Sequence, residues 1–163
     1  MRIILVLSII ISFFNCIGGV KDQHPDPYYH ETGGWDYRRM PLTKPLELIS
    51  NDKITWGVIG YKANIYSITS INKMKCVDSL HYLFRSLGTV YIKGVEYNQA
   101  WFIADIKDKS IDGYTDYQIF TDLLNMKYNI QIDTATWKSP DDYYKEFVKI
   151  RKLPWIPDWK ENR

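Results

Sequence analysis

Behind a single basic residue, Arg2, the chain is apolar at every position from residue 3 to residue 14 except Ser8 and Ser12. A helix of about a dozen residues is roughly 18 Å long, short of the roughly 30 Å core of a bilayer. A basic start and a short apolar run predict a secretory signal over residues 1–15, removed on export. Farther on the periodicity shortens to that of strands. Leu46, Leu48 and Ile49 precede a turn-like Ser50-Asn51-Asp52, and residues 54–59 can pair back as a hairpin. Residues 65–71 are rich in β-branched side chains, as strands are. Residues 89–92 and 101–106 predict another pair, with turn material between Lys93 and Asn98. In the latter, Phe102, Ala104 and Ile106 share one face and Trp101, Ile103 and Asp105 the other. Asp105 there predicts that only one side is fully buried. Residues 80–87 read two ways: Leu80, Leu83, Phe84 and Leu87 have helical spacing, yet Tyr82-Leu83-Phe84 fits a strand, to which the sheet-like surroundings tilt the reading.

Two helices are predicted after the strands. Thr115 with Gln118 has the capping-box spacing, Ile119, Phe120, Leu123 and Leu124 make one apolar face, and Asn129 is the stop. Ser139 caps a second helix, with Pro140 at its first position and Asp141 and Asp142 at its positive end. Tyr143, Tyr144, Phe147 and Val148 give the buried stripe, Lys149, Arg151 and Lys152 suit its negative end, and Pro154 cannot continue it. Residues 153–159 are too apolar to dangle and are expected to pack back on the sheet. Strands first and helices last predict an α+β fold, a mostly antiparallel sheet with two C-terminal helices packed on it. No internal repeat is visible.

The segment between signal and strands is polar and carries His24-Pro25-Asp26-Pro27, where each proline disfavours helix in the residue before it. Residues 16–34 therefore read as a flexible tether and residues 35–163 as one domain, whose packing begins at Trp35, Tyr37 and Met40. Cys16, directly behind the apolar run, resembles the cysteine of the bacterial lipoprotein signal, which becomes the lipid-modified first residue. That resemblance implies anchoring in the cell envelope. Ordinary cleavage after Gly18 is the alternative and gives a secreted soluble protein. With Cys16 lipidated, Cys76 has no intramolecular partner and is expected to be a buried, unreactive thiol; an unlipidated Cys16 has only Cys76 to pair with.

Composition narrows the classes. The chain has 163 residues, 45% hydrophobic, with a net charge of +2, which excludes disorder throughout and gives no general attraction to nucleic acid. Its three histidines match no metal motif, and no CxxC or Cys/His zinc spacing occurs. His24 and His30 lie in the tether near Asp26, Glu31 and Asp36, a poor scaffold for fixed ligands; His81 stands alone. No GxSxG elbow, phosphate loop or paired carboxylate is present, and Gly57 and Gly60 are an isolated pair. No cofactor or metal is expected, nor catalysis. Basic residues are scattered apart from Arg38-Arg39 and the run 149–152, which reads as a solvated helix end.

Aromatics are the remaining signal: 13 Tyr and 6 Trp. Most are expected in the core; exposed ones suit protein interfaces or sugar stacking. Trp155 and Trp159, flanked by prolines, and Tyr143 are the candidate interface residues. The stretch from Gly34 to Leu42, the run Trp101-Phe102-Ile103-Ala104-Asp105, and Phe147 through Leu153-Pro154-Trp155 resemble small exported lipoproteins of Bacteroidetes-type bacteria, some of which serve as immunity proteins beside secreted toxins. The resemblance implies a non-catalytic envelope module that binds a protein partner. A carbohydrate-binding accessory lipoprotein is the alternative, and a small hydrolase using His81 or Asp105 the third.

Overall fold

The computed structural model describes residues 26–60 and 68–157. The fold is α+β: two antiparallel sheets, then two helices. The first sheet holds β1 (Arg38–Pro41), β2 (Glu47–Ser50) and β3 (Gly57–Ile59) in sequence order. The second holds β4 (Ile71–Cys76), β5 (His81–Ile92), β6 (Val95–Asp105) and β7 (Ser110–Tyr114), also in order. Helices α1 (Tyr117–Tyr128) and α2 (Pro140–Ile150) follow. The expected hairpin of residues 46–59 is β2 against β3. Residues 65–67 of the next predicted strand lie outside the described residues; Ile68 bridges Val58 of the first sheet, and β4 starts only at Ile71.

Residues 80–87 belong mainly to β5, so the strand reading holds. The helical spacing there arises because both faces of the strand are buried: Tyr82 and Phe84 enter one core, Leu83 the other. The turn after Ile92 is tighter than expected. Lys93 and Gly94 both take positive φ, the two-residue loop that matches strand twist, so β6 already begins at Val95.

The larger core lies between the sheets. Met40, Leu48 and Trp56 meet Met74, Tyr82, Phe84 and Phe102, and Tyr143 and Phe147 of α2 close it. A second core fills the opposite face of the four-stranded sheet, where Leu83, Trp101 and Ile103 meet Phe120 and Leu124 of α1 and Trp137. The expectation of one buried face is thus corrected, and Asp105 itself is only 3% exposed. α1 is capped by Asp116, not Thr115: its carboxylate accepts from the N–H groups of both Gln118 and Ile119. Ile119 leaves the expected apolar face and is exposed, as is Val148 of α2.

The tail packs back as predicted through Pro157, and two expected interface residues, Trp155 and Tyr143, are buried. Ile156 N–H donates to the Leu153 carbonyl, and this turn sends Leu153, Trp155 and Ile156 inward. Trp155 is 4% exposed, its indole N–H donates to the Pro41 carbonyl at 2.9 Å, and its ring meets Tyr82 and Tyr143. Tyr143 sits one turn before Phe147 on the inner side of α2 and is buried with it. From Asp26 onward the expected tether is instead folded onto the domain. A 3-10 turn at Pro27–Tyr29, capped by Asp26, puts Tyr29 in the core, while Trp35, expected to begin the packing, is 89% exposed. Among the described residues no helix is long and apolar enough to cross a membrane.

Candidate functional site

Directly opposed residues in antiparallel strands project to the same face. Lys73 on β4 opposes Arg85 on β5, Arg85 opposes Trp101 on β6, and Trp101 opposes Tyr114 on β7. This lateral row lies on the side of the sheet that α1 covers. Past Leu124, α1 ends at Asn129 in a left-handed cap, and the chain returns through a short 3-10 turn, Thr134–Thr136, capped by Asp133. Lys138 then exchanges two backbone hydrogen bonds with Met74 on edge strand β4, which fixes Trp137 beside the row. The result is an open cleft of about 300 Å³ lined by Lys73, Arg85, Trp101, Tyr117, Thr134 and Trp137. Trp101 meets the Tyr117 ring at 5.3 Å, and Phe120 below them meets Trp137 at 6.4 Å.

The electrostatics of this cleft are one-sided. Two half-buried cations stand at directly opposed strand positions, an arrangement that weakens a sheet. Among the described residues neither lies within 4.0 Å of a carboxylate. Lys73 Nζ donates to the Trp137 carbonyl at 3.5 Å and an Arg85 terminal nitrogen to Gln99 Oε1 at 3.2 Å. Arg85 Nε and the Trp137 indole nitrogen are enclosed and reach no acceptor. Asp142 at the start of α2 is held below the usual carboxylate range mainly by the Ser139 hydroxyl, with only a small contribution from Lys73. Sequence reading missed Lys73 and Arg85, because a strand's pairing register is needed to bring them together.

A second polar cluster gathers where β5 and β6 meet the end of α1. His81 Nδ1 lies 2.8 Å from Asp78 Oδ2, and Nε2 lies 3.6 Å from Asp105 Oδ2. The Tyr128 ring contacts His81 edge-on at 4.7 Å, Lys127 Nζ donates to the Tyr128 hydroxyl, and Lys127 pairs with Asp108. Burial pushes the Asp105 pKa up, but the Asp108 N–H, the His81 ring and the Tyr128 hydroxyl outweigh it, and the net shift is downward from 3.8. Asp78 is lowered too, burial again being outweighed, here by His81 and the Leu80 N–H. Depressed carboxylates stabilise the fold above their unfolded pKa and lose that contribution as pH falls through the folded value. Asp105→Asn should therefore lower the urea midpoint near neutrality, and the gap to wild type should close below about pH 4. A gap independent of pH would show that the charge of Asp105 contributes nothing.

The remaining sequence candidates are dispersed. Cys16 and Trp159 lie outside the described residues, as does His24. Cys76 is half-buried; burial raises its thiol pKa, and Sγ accepts from the Ser79 N–H at 3.3 Å. That favours the inert thiol over the reactive one. Among the described residues no group of three or more His, Cys, Asp or Glu side chains is placed to hold a metal ion. No protein-family model, curated protein or solved structure matches the chain.

Proposed function

We propose that this chain is a non-catalytic binding module of the bacterial cell envelope, lipid-anchored through Cys16, which occludes a protein partner in the manner of an immunity protein. The observation that carries the reading is the cleft: two opposed cations and three aromatic rings collected on one open face. Arg, Trp and Tyr in a partly desolvated pocket are the residue types on which protein interfaces concentrate their binding energy. Beside them, Ile119, Leu123 and Met126 recur at i, i+4 and i+7 along α1, with Met126 84% exposed, and they supply apolar contact area. An aromatic cleft also suits a sugar, the second reading. Against it, Trp101 and Trp137 are buried and leave little ring face for stacking. The hydrolase reading draws no support from His81, whose two ring nitrogens face carboxylates rather than a nucleophile.

Two experiments test the proposal. Cys16→Ala should move the protein from the membrane fraction to the soluble one; unchanged fractionation overturns the anchor. A strain lacking this chain, grown in contact with its parent, should be outcompeted and rescued by the gene supplied in trans. Equal survival overturns the neutralising role.

A further inference from the structure

We infer that the cleft is a carboxylate receptor, built to take one acidic side chain of a protein partner between Lys73 and Arg85. The inference rests on the protein-partner reading and gives it a recognition chemistry. Like charges at directly opposed strand positions weaken a sheet, and a sequence free of functional demand would place an acid, or an apolar residue, at one of them. Here neither cation is ion-paired: among the described residues no carboxylate lies within 4.0 Å of either. An anion entering between them turns the repulsion into two attractions.

The surroundings favour a carboxylate on an apolar stem. The enclosed Arg85 Nε and Trp137 indole N–H find no acceptor, so the wall carries a surplus of donors. Gln99 Oε1 engages a terminal nitrogen of the guanidinium, fixing its plane for fork-like pairing with a flat carboxylate. Tyr117, 40% exposed and backed by Trp101 at 5.3 Å, offers apolar surface to the methylene groups behind the charge. A polyphosphate or nucleic acid would call for a wider basic field, and the chain's net charge is only +2. The exposed Ile119 and Met126 on neighbouring α1 fit apolar residues flanking the acid.

The test uses the exported chain, purified as the cell makes it and labelled with 15N, with the Trp137 indole and Arg85 Nε–H resonances as reporters. The probe is a blocked peptide with one Glu between leucines, compared with its Gln counterpart, inorganic phosphate and an oligogalacturonate. The Glu peptide should shift both resonances and the Gln peptide should not. Arg85→Gln and Lys73→Gln should each weaken binding about 10- to 100-fold, the loss of one charge-assisted hydrogen bond. Lys73→Gln should leave the melting temperature unchanged or raise it, since it relieves the opposed charges; a purely structural lysine would give the reverse. No shift with the Glu peptide, or an equal response to phosphate, overturns the receptor while leaving partner binding to the co-culture result. Preferential binding of the oligogalacturonate overturns the acidic side chain as ligand, and the protein-partner reading of the cleft with it.

Discussion

Replacing Arg39 by methionine is expected to cost about 3–5 kcal/mol of folding stability, the usual consequence of removing one partner from a buried ion pair. Arg39 on β1 is 6% exposed. Its Nε donates to Glu47 on neighbouring β2, and NH1 donates to the carbonyls of Tyr28 at 2.8 Å and Glu31 at 3.1 Å. The guanidinium also lies 4.7 Å from the centre of the Tyr28 ring. Methionine fills much of the space but leaves a carboxylate and two carbonyls without their donor. The damage should fall first on the lead-in, because Arg39 is what several of its groups converge upon. Amide exchange at Tyr29 and His30, whose N–H groups close the turn on Asp26 and Pro27, should become fast before the sheets open. Arg39→Lys should fall between, since an ammonium cannot serve the carboxylate and both carbonyls in one plane. Joint replacement of Arg39 and Glu47 by methionine should recover the part of the loss that comes from the unpaired carboxylate, but not the part from the Tyr28 and Glu31 carbonyls. A fall in the urea midpoint equivalent to less than about 1 kcal/mol for Arg39→Met would show that the lead-in is held by other contacts.

What the sequence revealed follows from the range of each signal. The start of helix α2 was legible to the residue because its cap, first-turn proline and acids are all local: Ser139, Pro140, Asp141 and Asp142 sit where the rules place them, although Val148 of the expected stripe is exposed. The β2–β3 hairpin was legible for the same reason. Both-sided burial of the four-stranded sheet was not, because one carboxylate, Asp105, suggested solvent, whereas the structure surrounds it with the Asp108 N–H and His81. The lead-in misled in the same way: its polar composition concealed that Arg39, Lys44 and Tyr144 reach back to hold it. The cleft was invisible because it depends on register. Lys73 and Arg85 are twelve residues apart in a chain with basic residues scattered throughout, and only the pairing that sets them opposite each other makes their shared sign a local contradiction. That contradiction is itself the signal, since sequences settle their strands in favour of opposite charges unless something else needs the field.

Trp155→Ala separates the roles that sequence and structure give to the tail. As an interface residue, Trp155 would lose partner binding and keep the fold. As placed, between Tyr82 at 5.6 Å and Tyr143 at 5.1 Å with its N–H on the Pro41 carbonyl, it should cost about 3–5 kcal/mol, the usual range for emptying a buried tryptophan site. The loss has two parts. The cavity strips contacts from Tyr82, whose hydroxyl bonds Thr43, so the disturbance spreads from the tail to the β1–β2 connection. The Pro41 carbonyl, buried beneath the ring, then lacks a donor. Trp155→Phe restores most of the volume and none of the hydrogen bond, and should recover roughly half the loss. Neither variant should alter the shift of the Arg85 Nε–H resonance by the Glu peptide at temperatures where the protein stays folded, because the cleft is on the other face of the four-stranded sheet. A stable Trp155→Ala protein with weakened partner binding would mean that the tail swings outward in solution and that the contact surface lies on the Trp155 side.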